Sequence, residues 1–262
     1  MVLENTYVFL ESQHLLVRVL IIGLVPAALT SIGVTPIIFG ARFGEKFSDT
    51  GMGFAAGVML VASFTSLLIP AIDQSSIWLA VPGFLAGVAL IKLIDTAIPH
   101  LHFLEIRTSW DENIHGEKLR KAWLMMLAMI VHNIPEGMAV GAAASYSVRD
   151  GLALAIAIGI QDVPEGLAVA LPILAMTRSM RKAVGAGVIS GVVEAIAAML
   201  PPLIITWIPL ALPLLMALAA GAMIYVVVHE ISPDIYTGEY KEWASAGFIA
   251  GFIVMLVLDS VF

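Results

Sequence analysis

Residues 132–140 read HNIPEGMAV and residues 161–169 read QDVPEGLAV. The two stretches lie 29 positions apart and share the tripeptide PEG. Each sits near the middle of a long apolar run, where a charged group costs several kcal/mol and marks function. In a helix, His132 and Glu136 are spaced i, i+4, and Asn133 and Glu136 i, i+3, so all three share one face. Gln161, Asp162 and Glu165 repeat that pattern. Pro135 and Pro164 lack an N–H, which frees the carbonyls of Val131 and Ile160. Freed carbonyls at membrane depth are tolerated where they line a cavity. Gly137 and Gly166 permit close helix approach.

The chain around these motifs has 262 residues, 60% hydrophobic and 13% charged. A soluble domain runs near about 45–50% apolar and about 25% charged. The excess excludes a soluble globular protein and a disordered chain. A net charge of −7 leaves no basic footprint for nucleic acid. With no cysteine there is no disulfide, no thiolate zinc site and no cysteine nucleophile. The apolar runs are continuous, unlike the alternation of a β-barrel. The fold class is therefore all-α and polytopic, in a lipid bilayer.

A crossing helix needs roughly 20 apolar residues. Eight spans are expected, at about 15–40, 52–72, 77–97, 122–146, 151–175, 183–207, 211–231 and 244–261. The first fourteen residues are mixed and lack the basic region of a cleavable signal. Arg42, Lys46, Arg107, Lys118, Arg120, Lys121, Arg178, Arg181, Lys182 and Lys241 all fall in connections after odd-numbered spans, against Arg149 alone on the other side. Basic residues favour the cytoplasm, so both termini are expected outside.

A second repeat sets the architecture. AAGVM at 55–59 matches AAGAM at 219–223, GFLAG at 83–87 matches GFIAG at 247–251, and Asp95 matches Asp259. One shift of 164 positions joins all three pairs. Small residues alone could serve close packing, but packing does not demand one register across two helices. Spans 2 and 3 therefore resemble spans 7 and 8 with opposite direction, the mark of secondary transporters that rock around a midplane site. Spans 4 and 5 form the inner pair. The plan is three, two and three helices in a single domain over 1–262. Spans 1 and 6 show no convincing match, and their pairing is inferred.

Glu194 in span 6 joins the two PEG faces. Four carboxylates, one imidazole and two amides then form a ring of oxygen and nitrogen donors. Four buried carboxylates cannot all ionise without counter-charge. One or two divalent metal ions supply it, with the glutamates placed to bridge two. A lone Asn or Gln in a span is commonly just hydrogen-bonded between helices; four carboxylates on three helices are not explained that way.

The pair HNIPEG and QDVPEG, followed 29 residues after Glu165 by Glu194, resembles the ZIP (Zrt/Irt-like) divalent metal transporters. It is most similar to prokaryotic members with a binuclear centre, over nearly the whole chain. The resemblance implies transport of zinc, and of cadmium, iron or manganese, across the plasma membrane into the cytoplasm. It implies one metal site of His132, Glu136, Gln161 and Glu165 with Met59 as a thioether. It implies a second of Asn133, Glu136, Asp162, Glu165 and Glu194. Many members carry histidine where this chain has Gln161 and asparagine where it has Asp162.

Ser66, Asp73 and Asp259 are candidate entrance residues at the outer side. Asp95, His100, His102, His229 and Glu230 are candidate exit residues at the inner side, with a histidine-bearing cytoplasmic loop at about 98–121. The acidic balance suits cation recruitment. Metal is expected as cargo, and no catalytic cofactor is expected. No GxxxxGK[ST] loop occurs, so a metal or proton gradient would drive transport. Alternating access would move spans 1, 4, 5 and 6 against spans 2, 3, 7 and 8. A passive channel or a metal sensor would use the same ligands. An intramembrane metalloprotease would need HExxH, but Asn133 follows His132 and Glu136 stands at i+4. Small-residue spacing such as Gly83 to Gly87 suits internal packing or a homodimer.

Overall fold

A computed structural model of the chain describes residues 2–38, 45–97, 133–233 and 239–261. Those residues are almost wholly helical, and seven of the helices are long and apolar enough to cross a bilayer. The protein is a polytopic helical membrane protein. Helix α1 covers Val2–Glu11. Helix α2 covers Leu15–Gly33, with a short turn at Thr35–Ile38. Helix α3 runs Glu45–Ala62, passes through a π-helical turn at Ser63–Leu68 and ends at Ile69–Gln74. Helix α4 is Ile77–Ala97. Helix α5 is 133–146, the described part of the fourth expected span. Helix α6 is Val148–Thr177. Helix α7 is Met180–Ala198, continued at Leu200–Trp207. Helix α8 is Leu212–Val226 with a π-helical turn at Val227–Ile231, and α9 is Lys241–Val261.

Several helices begin about a turn before the expected spans. Capping explains two of them. Ser147 accepts the Asp150 N–H and starts α6, and Ser179 accepts the Lys182 N–H and starts α7. Arg178, at φ 50°, closes α6 in the left-handed conformation, so a two-residue link joins the helices. Their first turns hold charged residues that hydropathy leaves out. Helix α1 has no counterpart among the expected spans. It packs Leu10 into the core and sets Tyr7 5.5 Å from the Arg149 guanidinium. The outward faces carry large apolar side chains, with Trp78 and Trp207 exposed at helix ends. That distribution suits lipid, with aromatics at the interfaces.

Alanine and glycine dominate the inner faces, so backbones approach closely. The contacts follow one rule. A Cβ at Gly57 would overlap the Phe248 carbonyl, and one at Gly221 would overlap the Phe84 carbonyl. Gly251 approaches Phe54, and Gly87 approaches Leu218. In each case a shift of 164 positions turns one contact into the other. These contacts join α3 to α9 and α4 to α8, each pair parallel. Gly83 and Gly87 are thus spent on internal packing against α8. The π-helical turns obey the same shift, since Ser63 maps onto Val227.

The structure also supplies the match that the sequence of spans 1 and 6 hides. Gly23 lies against Ala198, and Gly187 lies against Val34. Gly191 approaches the Ala27 carbonyl, its own counterpart under the 164 shift. Helices α2 and α7 therefore cross antiparallel in the shared register. Gly166 meets the Thr30 carbonyl as Gly137 meets the Glu194 carbonyl. This sets α6 on α2 and α5 on α7. Two bundles result, one of α2, α5, α6 and α7, the other of α3, α4, α8 and α9, and they meet where α3 and α9 pack on α6.

Candidate metal centre

The centre lies in the first bundle, at the helix crossings just described. Glu136, Asp162 and Glu165 each place a carboxylate oxygen so that the three atoms lie within 4.8 Å of one another. All three side chains are buried, as are Asn133, Gln161 and Glu194. The close approach of Gly137 to α7 and of Gly166 to α2 draws the PEG turns into the crossing. The prolines do not end α6, which runs unbroken through Pro164.

Hydrogen bonds aim the ring. Gln161 Nε2 donates to Glu136 Oε1 at 2.7 Å. Ser190 Oγ lies 3.2 Å from Asn133 Oδ1, to which it donates. Thr30 Oγ1 lies 3.0 Å from Glu194 Oε2 and 3.0 Å from the Pro26 carbonyl. Six buried polar atoms of this cluster still lack a partner among the described residues: Asn133 Nδ2, Glu136 Oε2, Gln161 Oε1, both Asp162 oxygens and Glu194 Oε1. A buried acceptor left unpaired costs about 1–3 kcal/mol, more when charged. Five of the six are oxygens. Three converging carboxylates in a cluster with buried, unpaired oxygens fit a divalent cation of hard or borderline character.

A family model described as ZIP zinc transporter matches residues 100–259. The chain is 37% identical over 244 residues to the zinc transporter ZIPB of Bordetella bronchiseptica, covering 89% of this chain and 77% of that one. The chain belongs to the ZIP zinc transporter family. Two further relatives cover both partners more fully. The zinc transporter GufA of Myxococcus xanthus is 32% identical over 250 residues, 92% of this chain and 97% of its own. The zinc transporter ZupT of Corynebacterium glutamicum is 33% identical over 252 residues, 90% of this chain and 96% of its own.

Within this ZIP chain the expected ligands separate into groups. Glu136, Asp162 and Glu165 converge; Gln161 is bonded to Glu136, Glu194 is close enough to interact with the carboxylates, and Asn133 is buried and bonded to Ser190. His132, His100 and His102 lie outside the described residues. Met59 is fully buried on α3, on the side of the second bundle. Of the expected entrance residues, Ser66 is buried and donates to Asp259 Oδ1 at 3.3 Å, which joins α3 to α9. Asp73 is exposed at the end of α3. Asp95 and Glu230 fall on helical backbone whose side chains are outside the description. His229 is exposed in the π-helical turn of α8, its ring 4.8 Å from Tyr225.

Thr30 and Ser190 were not singled out in the sequence. Hydroxyl residues in apolar spans are common and bond to their own helix. Only the crossing of α2, α5 and α7 shows that these two reach Glu194 and Asn133. The faint sequence signal was positional, because Thr30 lies 164 positions before Glu194.

Proposed function

We propose that this ZIP family member carries divalent transition-metal ions, zinc first among them, into the cytoplasm across the plasma membrane. It is a transporter, not an enzyme. The observation that carries this reading is the buried convergence of Glu136, Asp162 and Glu165, with unpaired oxygens of Glu194 and Gln161 around it. Burying several carboxylates is unfavourable unless a cation joins them. One ion is held by His132, Glu136, Gln161 and Glu165 with Met59. A second is held by Asn133, Asp162 and Glu194, sharing both glutamates. Cadmium, iron and manganese are further cargoes.

The chain crosses the membrane eight times in a three, two and three plan, with both termini outside. The exchange of backbone contacts under the 164 shift and the antiparallel crossing of α2 with α7 support an inverted repeat. The bundle of α2, α5, α6 and α7 holds most of the centre and moves as a unit against the bundle of α3, α4, α8 and α9. Metal enters past Asp73, Ser66 and Asp259. It leaves past Asp95, His229 and Glu230 toward His100 and His102.

Zinc flux into sealed proteoliposomes tests this reading. Saturation with external zinc is expected of a carrier. Linear flux would make the protein a channel, and binding without flux would make it a sensor.

A further inference from the structure

Met59 has an equivalent in the second copy. The 164 shift that pairs AAGVM with AAGAM carries Met59 onto Met223. Both side chains are fully buried, at 1% and 0% exposure, and both precede a π-helical turn by four residues. Met59 has a proposed role at the metal, whereas Met223 has none.

Symmetry assigns one. Each bundle repeats its contacts under the exchange of copies: Gly57 with Phe248 becomes Gly221 with Phe84, and Gly23 with Ala198 becomes Gly187 with Val34. Two internally symmetric bodies have no intrinsic preference for one direction of displacement. Sliding the first bundle one way along the second, or the opposite way, gives arrangements related by exchanging the copies. The contacts of the other-facing state are therefore read by adding or subtracting 164 on α2–α4 and α7–α9, and 29 on α5 and α6. Under that exchange Glu136 and Glu165 replace one another, so the glutamate pair maps onto itself. The methionine at this register of the second bundle changes from Met59 to Met223.

We propose that Met223 is the thioether that meets the transported ion in the state facing the opposite side, taking over from Met59. This rests on the transport reading above. A thioether is a soft ligand that suits cadmium and zinc over hard ions. Each state then keeps one sulfur on the ion beside the oxygen and nitrogen donors. Packing alone would account for a buried methionine, but predicts no response of that position to metal.

The chain has no cysteine, so Met59→Cys and Met223→Cys each introduce a single thiol. In proteoliposomes that transport zinc, the alkylation rate of each thiol by a membrane-permeant maleimide is measured with and without Cd2+. Cd2+ is expected to slow alkylation several-fold at both positions, and Glu165→Ala is expected to abolish both effects. Slowing at position 59 with no change at 223 overturns the proposal. A thiol at 223 that maleimide never reaches also overturns it, because the opposite state must open that position. Met223→Leu keeps the bulk without a thiol. It should lower cadmium uptake several-fold relative to zinc uptake, and an unchanged ratio contradicts the proposal. Failure of the transport reading is seen separately, as an absence of flux through the unsubstituted chain.

Discussion

The two copies of the three-helix unit agree in their packing and differ in their chemistry. Gly57 and Gly221, Gly87 and Gly251, and Gly23 and Gly187 make exchangeable contacts. The polar positions do not exchange. Thr30 stands opposite Glu194, Ser66 opposite Glu230, and Ser63 opposite Val227 under the same shift. In the inner pair, Glu136 and Glu165 are identical, while His132 faces Gln161 and Asn133 faces Asp162. Close backbone packing requires small residues in both copies, because a Cβ would strike a carbonyl. A metal centre requires a donor count, and Glu194 adds its carboxylate on one side only. The symmetric part holds the helices together; the asymmetric part carries the candidate ligands.

Breaking the shared part should have the largest effect. Gly57→Val and Gly221→Val each force two helices apart at equivalent points. Each should destabilise the fold by more than about 4 kcal/mol, the range of severe core disruption. Thermal unfolding in detergent should show losses of similar size for the two. Gly185→Ala is the control, since nothing lies within 4 Å of a Cβ there. It should raise stability by about 0.5–1 kcal/mol, the advantage of alanine over glycine within a helix.

The asymmetric part is sharpened at Thr30. Thr30→Val keeps the shape and removes the hydroxyl that contacts Glu194. Leaving that carboxylate oxygen without its partner costs about 1–3 kcal/mol. Affinity for one ion should drop about tenfold or more, with Thr30→Ser restoring it. Equilibrium zinc binding reads this directly. If Thr30→Val binds zinc as the unsubstituted chain does, Thr30 does not position Glu194.

A small loss is expected at Lys46, whose ammonium lies 3.4 Å from the Trp243 ring centroid and links α3 to α9. The copy exchange does not reproduce this pair, because position 210, the counterpart of Lys46, is a leucine. Lys46→Ala should cost about 0.5–1 kcal/mol of stability and leave zinc affinity unchanged.

Much of this was legible in the sequence because membrane helices leave few ways to satisfy charge. The PEG motifs pointed to the buried carboxylate cluster, since carboxylates in apolar runs have few structural uses. Spans 2, 3, 7 and 8 showed their kinship because glycine spacing in parallel pairs constrains several residues at once. Spans 1 and 6 hid theirs. Their crossing is antiparallel and spends a single identical glycine pair, Gly23 with Gly187, while the other contacts use Ala27, Val34 and Ala198. Such residues match anything apolar. Helix α1 was missed because ten residues with two glutamates and an asparagine carry no span-length apolar run. The π-helical turns were missed because they arise from helix packing, and SFTSLL and VVHEI share no motif.

The central claim is that the buried carboxylates of α5 and α6 are the carrier's metal site. Zinc and cadmium uptake into sealed proteoliposomes, compared between the unsubstituted chain and Glu165→Ala, tests it most directly. Saturable uptake that Glu165→Ala abolishes, together with lost equilibrium binding, is the expected result. Uptake that survives Glu165→Ala unchanged would contradict the account and move the transported ion to another place in the protein.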